Sequence, residues 1–311
     1  MKVLVTGANG FLGRSVTNAL MEKGFGVRGA VRGTYDGSQV PGNCVSVGEV
    51  NGATDWSHAL EGVSSVVHLV ARTHVMNEHG RGHLQDYRPV NVEGTRRLAE
   101  QAAQACVKRV VFVSSVKVNG EQTHERAFTV TDVPEPEDAY GISKWEAEQV
   151  LAEVSVRTGL ETVIVRPPLV YGPGVKGNFA RLVALAQRRL PLPLGAIDNC
   201  RSLVALPNLV DLLVRCVEAS EASGQTFFVS DGEDVSTPQL VRLLGEASGR
   251  KTALVPVPPA LLRMAGRLTG RSEQVERLCG SLQVDISVTK EVLGWQPPMT
   301  LRQALHDTVT R

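Results

Sequence analysis

The feature that most restricts this chain lies at its start. Residues 2–6 form a short β-branched run, and Gly7, Gly10 and Gly13 follow directly in Thr6-Gly7-Ala8-Asn9-Gly10-Phe11-Leu12-Gly13. Leu12, Val16, Ala19 and Leu20 then recur at helical spacing. A strand that enters a helix through regularly spaced glycines needs a tight turn and a close approach of backbone to backbone, which side chains would obstruct. It also leaves the free N–H groups and positive dipole end of the helix open to hold a pyrophosphate. In this order of strand, loop and helix the glycines predict a dinucleotide site.

The alternation continues. Residues 26–31, 65–70, 109–114 and 161–166 are further short apolar runs, and Val92, Thr95, Leu98, Ala102 and Ala105 make a second helical stripe. Strands that read as continuous apolar runs belong to a parallel sheet covered on both faces. The predicted fold is therefore α/β, a Rossmann-type doubly wound parallel sheet. After Arg166, Pro167, Pro168, Pro173, Pro191 and Pro193 break any long regular element. Leu209, Leu212, Leu213, Cys216 and Val217 then give another helix, followed by the strand-like Thr226-Phe227-Phe228-Val229, so the chain is expected to return to the sheet. This predicts a dinucleotide-binding domain of residues 1–170 and 203–231, interleaved with a smaller α/β substrate lobe of residues 171–202 and 232–311.

Composition narrows the chemistry. A length of 311 residues exceeds one small core, and 42% hydrophobic with 21% charged residues describes a globular chain. With 33 Lys and Arg against 32 Asp and Glu the net charge is +1, which removes the electrostatic case for nucleic acid or a membrane surface as partner. No stretch approaches the ~20 apolar residues of a membrane span, and Val3-Leu4-Val5 is too short for a signal-peptide core. A cytoplasmic location is expected. Cys44, Cys106, Cys200, Cys216 and Cys279 are widely spaced and read as reduced thiols. His74, His79 and His83 share a segment with Arg72 and Arg81, but Gly80 and Gly82 disfavour the helix a His79–His83 metal pair would need, so no metal is expected.

Two further patterns carry chemistry. The second strand lacks the terminal acid that holds ribose hydroxyls in an NAD site, and Arg32 stands there instead. A guanidinium suits a 2′-phosphate, so Arg32 favours NADP over NAD while leaving both open. Tyr140 and Lys144 lie four apart in Tyr140-Gly141-Ile142-Ser143-Lys144, on one face of a helix. An ammonium near a phenol favours the phenolate, the form a tyrosine with ordinary pKa near ~10 needs for acid–base work. Ser114 and Ser115 end a sheet strand, where ligands bind in such folds.

With these residues in place, the sequence resembles the extended short-chain dehydrogenase/reductase superfamily, the NAD-dependent epimerase/dehydratase group. The matching blocks are TGANGFLG at 6–13, VVHLVA at 66–71, NVEGT at 91–95, FVSSVKVNG at 112–120, YGISK at 140–144, VRPPLVYGPG at 165–174 and LGW at 293–295. The resemblance implies that Tyr140 exchanges the proton at the reacting oxygen, Ser115 hydrogen-bonds that oxygen, and Lys144 binds the nicotinamide ribose and lowers the tyrosine pKa. It implies a cofactor site of Gly7, Asn9, Gly10, Phe11, Leu12, Gly13, Arg32, Glu49, Val50, Leu69, Val70, Ala71, Asn91 and Pro167, besides Tyr140 and Lys144. Glu49 stands where the family commonly has Asp at the adenine, and Asn91 reads equally as a helix N-cap.

The substrate end is implied in the same way. Asn178 and Arg201 match positions that contact a nucleotide diphosphate, Lys117 and Ser115 face the sugar, and Arg277 and Asp285 lie near the last nucleotide-contacting segment. Lys117 and Asn119 replace a small hydroxyl residue and a tyrosine found in many 4-epimerases. The narrower resemblance is to reductases acting at C4 of UDP-4-keto-6-deoxy-N-acetylhexosamines for surface-polysaccharide (O-antigen, lipopolysaccharide) sugars. The expected reaction is therefore NAD(P)H-dependent C4 reduction of such a UDP-sugar. The alternatives are a UDP-hexose 4-epimerase that retains its NAD and, more remotely, a non-catalytic dinucleotide sensor. Relatives of this kind commonly form homodimers, the expectation here too.

Overall fold

The glycine spacing produces the local structure it demands. In the computed structural model, which describes residues 1–33, 43–73, 83–188 and 191–310, Lys2–Thr6 is β1 and Phe11–Glu22 is α1. There follow β2 (Gly26–Val31), β3 (Asn43–Ser46), the short α2 (Ser57–Leu60) and β4 (Ser65–His68). A helical run then passes from α3 (Leu84–Arg88) through a π turn (Pro89–Glu93) into α4 (Gly94–Gln104). β5 (Arg109–Val113) leads by a 3-10 turn (Val116–Val118) to the long α5 (Ala139–Thr158) and β6 (Glu161–Arg166). Next come β7 (Leu169–Tyr171), α6 (Gly177–Ala186), β8 (Leu203–Ala205), α7 (Leu206–Glu218) and β9 (Thr226–Phe228). The chain closes with α8 (Thr237–Ala247), α9 (Pro259–Leu268), α10 (Ser272–Cys279), α11 (Ser287–Leu293) and α12 (Leu301–Thr310).

The main sheet has seven parallel strands in the order β3-β2-β1-β4-β5-β6-β9, a doubly wound topology. Its connections reverse direction between β1 and β4, whose ends align as Thr6 with His68. Crevices at such a switch point, outside the carboxyl ends of the strands, are where ligands bind in this architecture. Leu169–Tyr171 and Leu203–Ala205 pair apart from it as a two-stranded parallel ribbon.

Burial explains the apolar runs. Along β1, Val3 and Val5 enter one core with Val16, Leu20 and the α7 residues Leu209, Leu213 and Val217, while Leu4 enters the opposite core with Trp56, Leu98, Leu151 and Val154. A strand buried on both faces keeps no polar alternation. A third core joins Tyr171 and Phe179 to Leu240, Leu244, Leu301 and Leu305.

The elements differ from expectation in four places. β4 stops at His68 because the N–H groups of Leu69 and Val70 donate to Thr6 Oγ1 instead of to a neighbouring strand. β5 stops at Val113, and β3, a partly buried edge strand, was not foreseen. Asn91 does not begin a helix: it lies inside the π turn, 1% exposed, with helix on both sides.

Candidate functional site

The loop between β1 and α1 closes on itself. Gly7 has φ +67°, in the left-handed region that favours glycine. A Cβ at Gly13 would lie 2.1 Å from Gly7 O and 2.8 Å from Ala8 Cα, both backbone atoms that cannot swing aside. Gly10 caps α1 without a side-chain bond, and Asn9, Gly10 and Phe11 are exposed beside it. Leu12 is half-buried against the core. The N-terminus of α1 is thus open for a diphosphate, and the residues fit the group the glycines predict. Gly13→Ala is expected to cost about 1–3 kcal/mol of stability through overpacking and to weaken dinucleotide binding. Gly10→Ala, whose Cβ would meet Gly7 O at 3.1 Å, should cost less. Thermal unfolding with and without dinucleotide measures both; equal effects would contradict the packing argument.

Around this loop, Leu69, Val70 and Ala71 are half-buried just beyond β4, with Val70 Cγ2 3.4 Å from where a Gly7 Cβ would stand. Val50 is buried against α4, where a Cβ on Gly94 would meet its Cγ1 at 2.7 Å. Arg32 is exposed past the end of β2, and Glu49 is exposed with its carbonyl accepting from Thr54 Oγ1. Buried Pro167 takes the Val116 N–H on its carbonyl, which seats the 3-10 turn against the end of β6.

Tyr140 and Lys144 occupy the first two turns of α5. Asp138 caps that helix by accepting the Gly141 N–H at 2.6 Å, and a Cβ at Gly141 would fall 2.6 Å from Lys117 O. The Tyr140 ring packs edge-on against Tyr87, centroids 6.2 Å apart. Burial, then the Asp138 charge and Tyr87, push its hydroxyl well above the ordinary 10. The Lys144 side chain is 1% exposed, with Nζ 3.8 Å from the Phe112 ring centroid. Burial pulls its ammonium down to about 7, partly opposed by Glu148. Burial and Asp138 thus act against the lowering of the tyrosine pKa expected of Lys144. Ser115 is half-buried at the start of the 3-10 turn, its Oγ accepting the Lys117 N–H at 3.2 Å.

The Lys144 displacement carries a pH prediction. A lysine held at about 7 when folded and near 10.5 when unfolded gives the unfolded chain the extra proton between those values, so stability rises with pH across that window. Lys144→Met should raise the neutral-pH melting temperature of the dinucleotide-free protein, by on the order of a few kcal/mol in stability, and flatten that rise. Thermal melts at several pH values test it, and a lower melting temperature throughout would contradict it.

Buried polar links fasten the glycine loop to α5, and the sequence did not announce them. Thr95 Oγ1 gives its one hydrogen to Asn91 O at 2.7 Å, so it accepts from His68 Nε2 at 3.1 Å. His68 Nδ1 is then the acceptor for Thr6 Oγ1 at 2.8 Å. Burial holds this imidazole down to about 3, neutral throughout the physiological range. The Asn91 amide accepts the Arg72 N–H at 2.7 Å and donates to Ser143 Oγ at 2.9 Å, and Ser143 donates to Tyr140 O at 2.8 Å.

The sugar-side residues are less gathered. Lys117 Nζ is held by Glu121 at 2.5 Å and Asp138 at 2.6 Å, so its charge is already engaged by carboxylates. Arg201 donates from Nη1 to Arg277 O at 2.8 Å and Gly280 O at 3.0 Å. Arg277 itself is exposed on α10 with Glu273 3.8 Å away. Asn178 is the exposed second residue of α6, and Asp285 is taken up by Ser287. His74, His79 and Arg81 lie outside the described residues, whereas His83 precedes α3; no metal-binding cluster occurs among the described residues.

A glycine loop that opens α1, with Ser115 after β5 and Tyr140 and Lys144 on α5, has a counterpart among known proteins. Residues 3–230 match the model of the NAD dependent epimerase/dehydratase family. The chain belongs to that family. Its members are NAD-dependent enzymes with this Rossmann-type sheet. Among this family member's relatives, UDP-glucose 4-epimerase of Vibrio cholerae is 45% identical over 309 residues, 98% of this chain and 94% of the relative. Two solved structures share the fold: UDP-N-acetylglucosamine 4-epimerase from Bacillus cereus, with TM-score 0.82 and 20% identity over 99% and 98% of the two chains, and UDP-glucuronic acid 4-epimerase from Bacillus cereus in complex with NAD, with TM-score 0.79 and 21% identity over 99% and 95%.

Proposed function

We propose that this epimerase/dehydratase family member inverts C4 of a UDP-linked hexose or N-acetylhexosamine, using NAD without net consumption. The observation that carries the reading is the pairing of Tyr140 and Lys144 one turn apart on α5 with Ser115 after β5, in a chain whose β1 enters α1 through the glycine loop. The 45% identity to the Vibrio cholerae 4-epimerase supports it. NAD is one of the two dinucleotides that Arg32 left open.

In this mechanism the backbone of Gly7 to Gly13 holds the pyrophosphate, while Glu49 and Val50 flank the adenine and Arg32 its ribose. Leu69, Val70, Ala71, Asn91 and Pro167 border the nicotinamide end. When bound, NAD would supply a reversible hydride acceptor for a carbinol carbon. Tyr140 takes the proton from the C4 hydroxyl and restores it after the sugar presents its other face. Ser115 donates a hydrogen bond to the same oxygen. Lys144 holds the ribose hydroxyls, and its charge, once engaged there, counters the burial that keeps Tyr140 protonated. Arg201, with Asn178 and Arg277, faces the diphosphate of the substrate. Residues 1–170 and 203–231 would form the cofactor part and residues 171–202 and 232–311 the substrate part. The product would supply cytoplasmic assembly of surface polysaccharide, by a homodimer.

A second reading, net C4 reduction of a UDP-4-keto-6-deoxy-N-acetylhexosamine, is favoured by Lys117 and Asn119. Asn119 spends its side-chain oxygen on Arg166 at 3.0 Å, leaving no tyrosine hydroxyl at that position. Purified protein incubated with UDP-glucose, UDP-galactose and their N-acetyl forms, with products read by NMR, distinguishes the readings. The proposal expects interconversion with no change in reduced nicotinamide. Inertness toward all of these, with one NADH or NADPH consumed per 4-keto-6-deoxy substrate, would replace it by the second.

A further inference from the structure

The whole-chain charge of +1 conceals a segment of one sign. Residues 250–271 contain Arg250, Lys251, Arg263, Arg267 and Arg271 and no Asp or Glu, so the remainder of the chain is net acidic. Helix α9 lies within this segment, and its two faces differ. The inner face is fixed by packing: Leu262 rests against the core around Tyr171 and Leu240, and a Cβ at Gly266 would lie 2.8 Å from Val275 Cγ2 on α10. Leu261, Met264 and Leu268 emerge on the opposite face, 50%, 54% and 82% exposed. Single exposed aliphatic residues are ordinary, but an apolar stripe along one helix face signals contact with something. Arg267 is exposed at the margin of the stripe, Arg271 just past the helix end and Lys251 before it.

We propose that the outer face of α9 docks on an anionic lipid surface, its aliphatic stripe entering the headgroup boundary while Lys251, Arg267 and Arg271 meet lipid phosphates. Charge decides the occupant. A second copy of this face would cover the stripe but bring like charges together, with no carboxylate in the segment to receive them. A nucleic acid would use the cations yet leave the stripe in water, and residues 250–271 contain no aromatic side chain on which bases could stack. An interfacial helix with an apolar face and basic flanks gains from both its apolar burial and its attraction to anionic headgroups. No helix among the described residues is long and apolar enough to cross a membrane, so the contact is peripheral. α10, against which the inner face of α9 packs, carries the Arg277 carbonyl that receives Arg201, so the docking face points away from that contact.

The test is co-sedimentation of the full chain with phosphatidylcholine vesicles and with vesicles that also contain phosphatidylglycerol, and it does not depend on the reaction. Binding to the anionic vesicles alone, weakening as salt is raised, is expected. Arg267→Gln and Arg271→Gln should each lower partitioning about fivefold. Leu261→Ser with Met264→Ser and Leu268→Ser should abolish it while melting temperature and NAD binding stay unchanged. Equal sedimentation with neutral and anionic vesicles, or undiminished binding by the triple-serine variant, would overturn the proposal. So would a dimer in light scattering that the triple-serine variant dissolves, which would assign the stripe to a second copy.

Discussion

Tyr140→Phe is expected to lower kcat by about 10²–10⁴-fold, the usual contribution of a positioned acid–base group. The ring would keep its edge-on contact with Tyr87, and the Asp138 cap, the Ser143 bond to Tyr140 O and the Lys144 contact with Phe112 involve other atoms. Folding and NAD affinity should therefore remain close to those of the parent. The measurement is paired: steady-state turnover of the UDP-sugar, and NAD affinity by fluorescence quenching. Turnover near the parent value would remove Tyr140 from the reaction, whatever its place in the fold. A joint loss of turnover and NAD binding would make the residue structural.

The second large effect is expected at Glu148, on stability. Its carboxylate receives Arg166 Nε at 3.0 Å and Nη2 at 2.5 Å, and Ser114 Oγ at 2.5 Å, with both charged side chains 4% exposed. Glu148→Ala would leave a guanidinium buried beside the Asn119 oxygen and the Trp145 ring. Removing one partner of a buried ion pair costs about 3–5 kcal/mol, because the other charge stays desolvated. A denaturant midpoint reads this directly. Glu148→Leu combined with Arg166→Met should recover most of the loss, since an apolar pair of similar volume avoids desolvation altogether. A loss below about 1 kcal/mol in the single variant would show that water reaches the guanidinium. The pair joins α5 to the end of β6, and Ser114 adds the end of β5, so its failure should also loosen Ser115 and Tyr140.

The parts visible in the sequence are those set by local rules. Val3, Leu4 and Val5 read as a doubly buried strand because neither face can be polar, and Gly13 reads as a contact glycine because its spacing from Gly7 fixes the turn. Tyr140 and Lys144 were legible through their helical separation, although not the way Lys144 turns toward Phe112. What escaped depends on partners distant along the chain. His68 reads as a strand end, and only Thr6 and Thr95 on either side reveal a hydrogen-bonded link. Asn91 has the composition of a cap, but its amide spans from Arg72 to Ser143 inside a π turn. Lys117 reads as a free cation until Glu121 and Asp138 fold back onto it. α8 and α12 were invisible for another reason: they pack in a separate core whose apolar residues are scattered from Tyr171 to Leu305.

The shared core of α1 and α7 also has a temporal consequence. Val16 and Leu20 are covered by residues such as Leu209, Leu213 and Val217, which the ribosome makes far later. At about 5–20 residues per second, the interval between finishing α1 (Phe11–Glu22) and finishing α7 (Leu206–Glu218) is roughly 10–40 s. Throughout that interval one side of the nascent sheet is without its native covering, a standing invitation to chaperones and a hazard for any transcript cut short before α7.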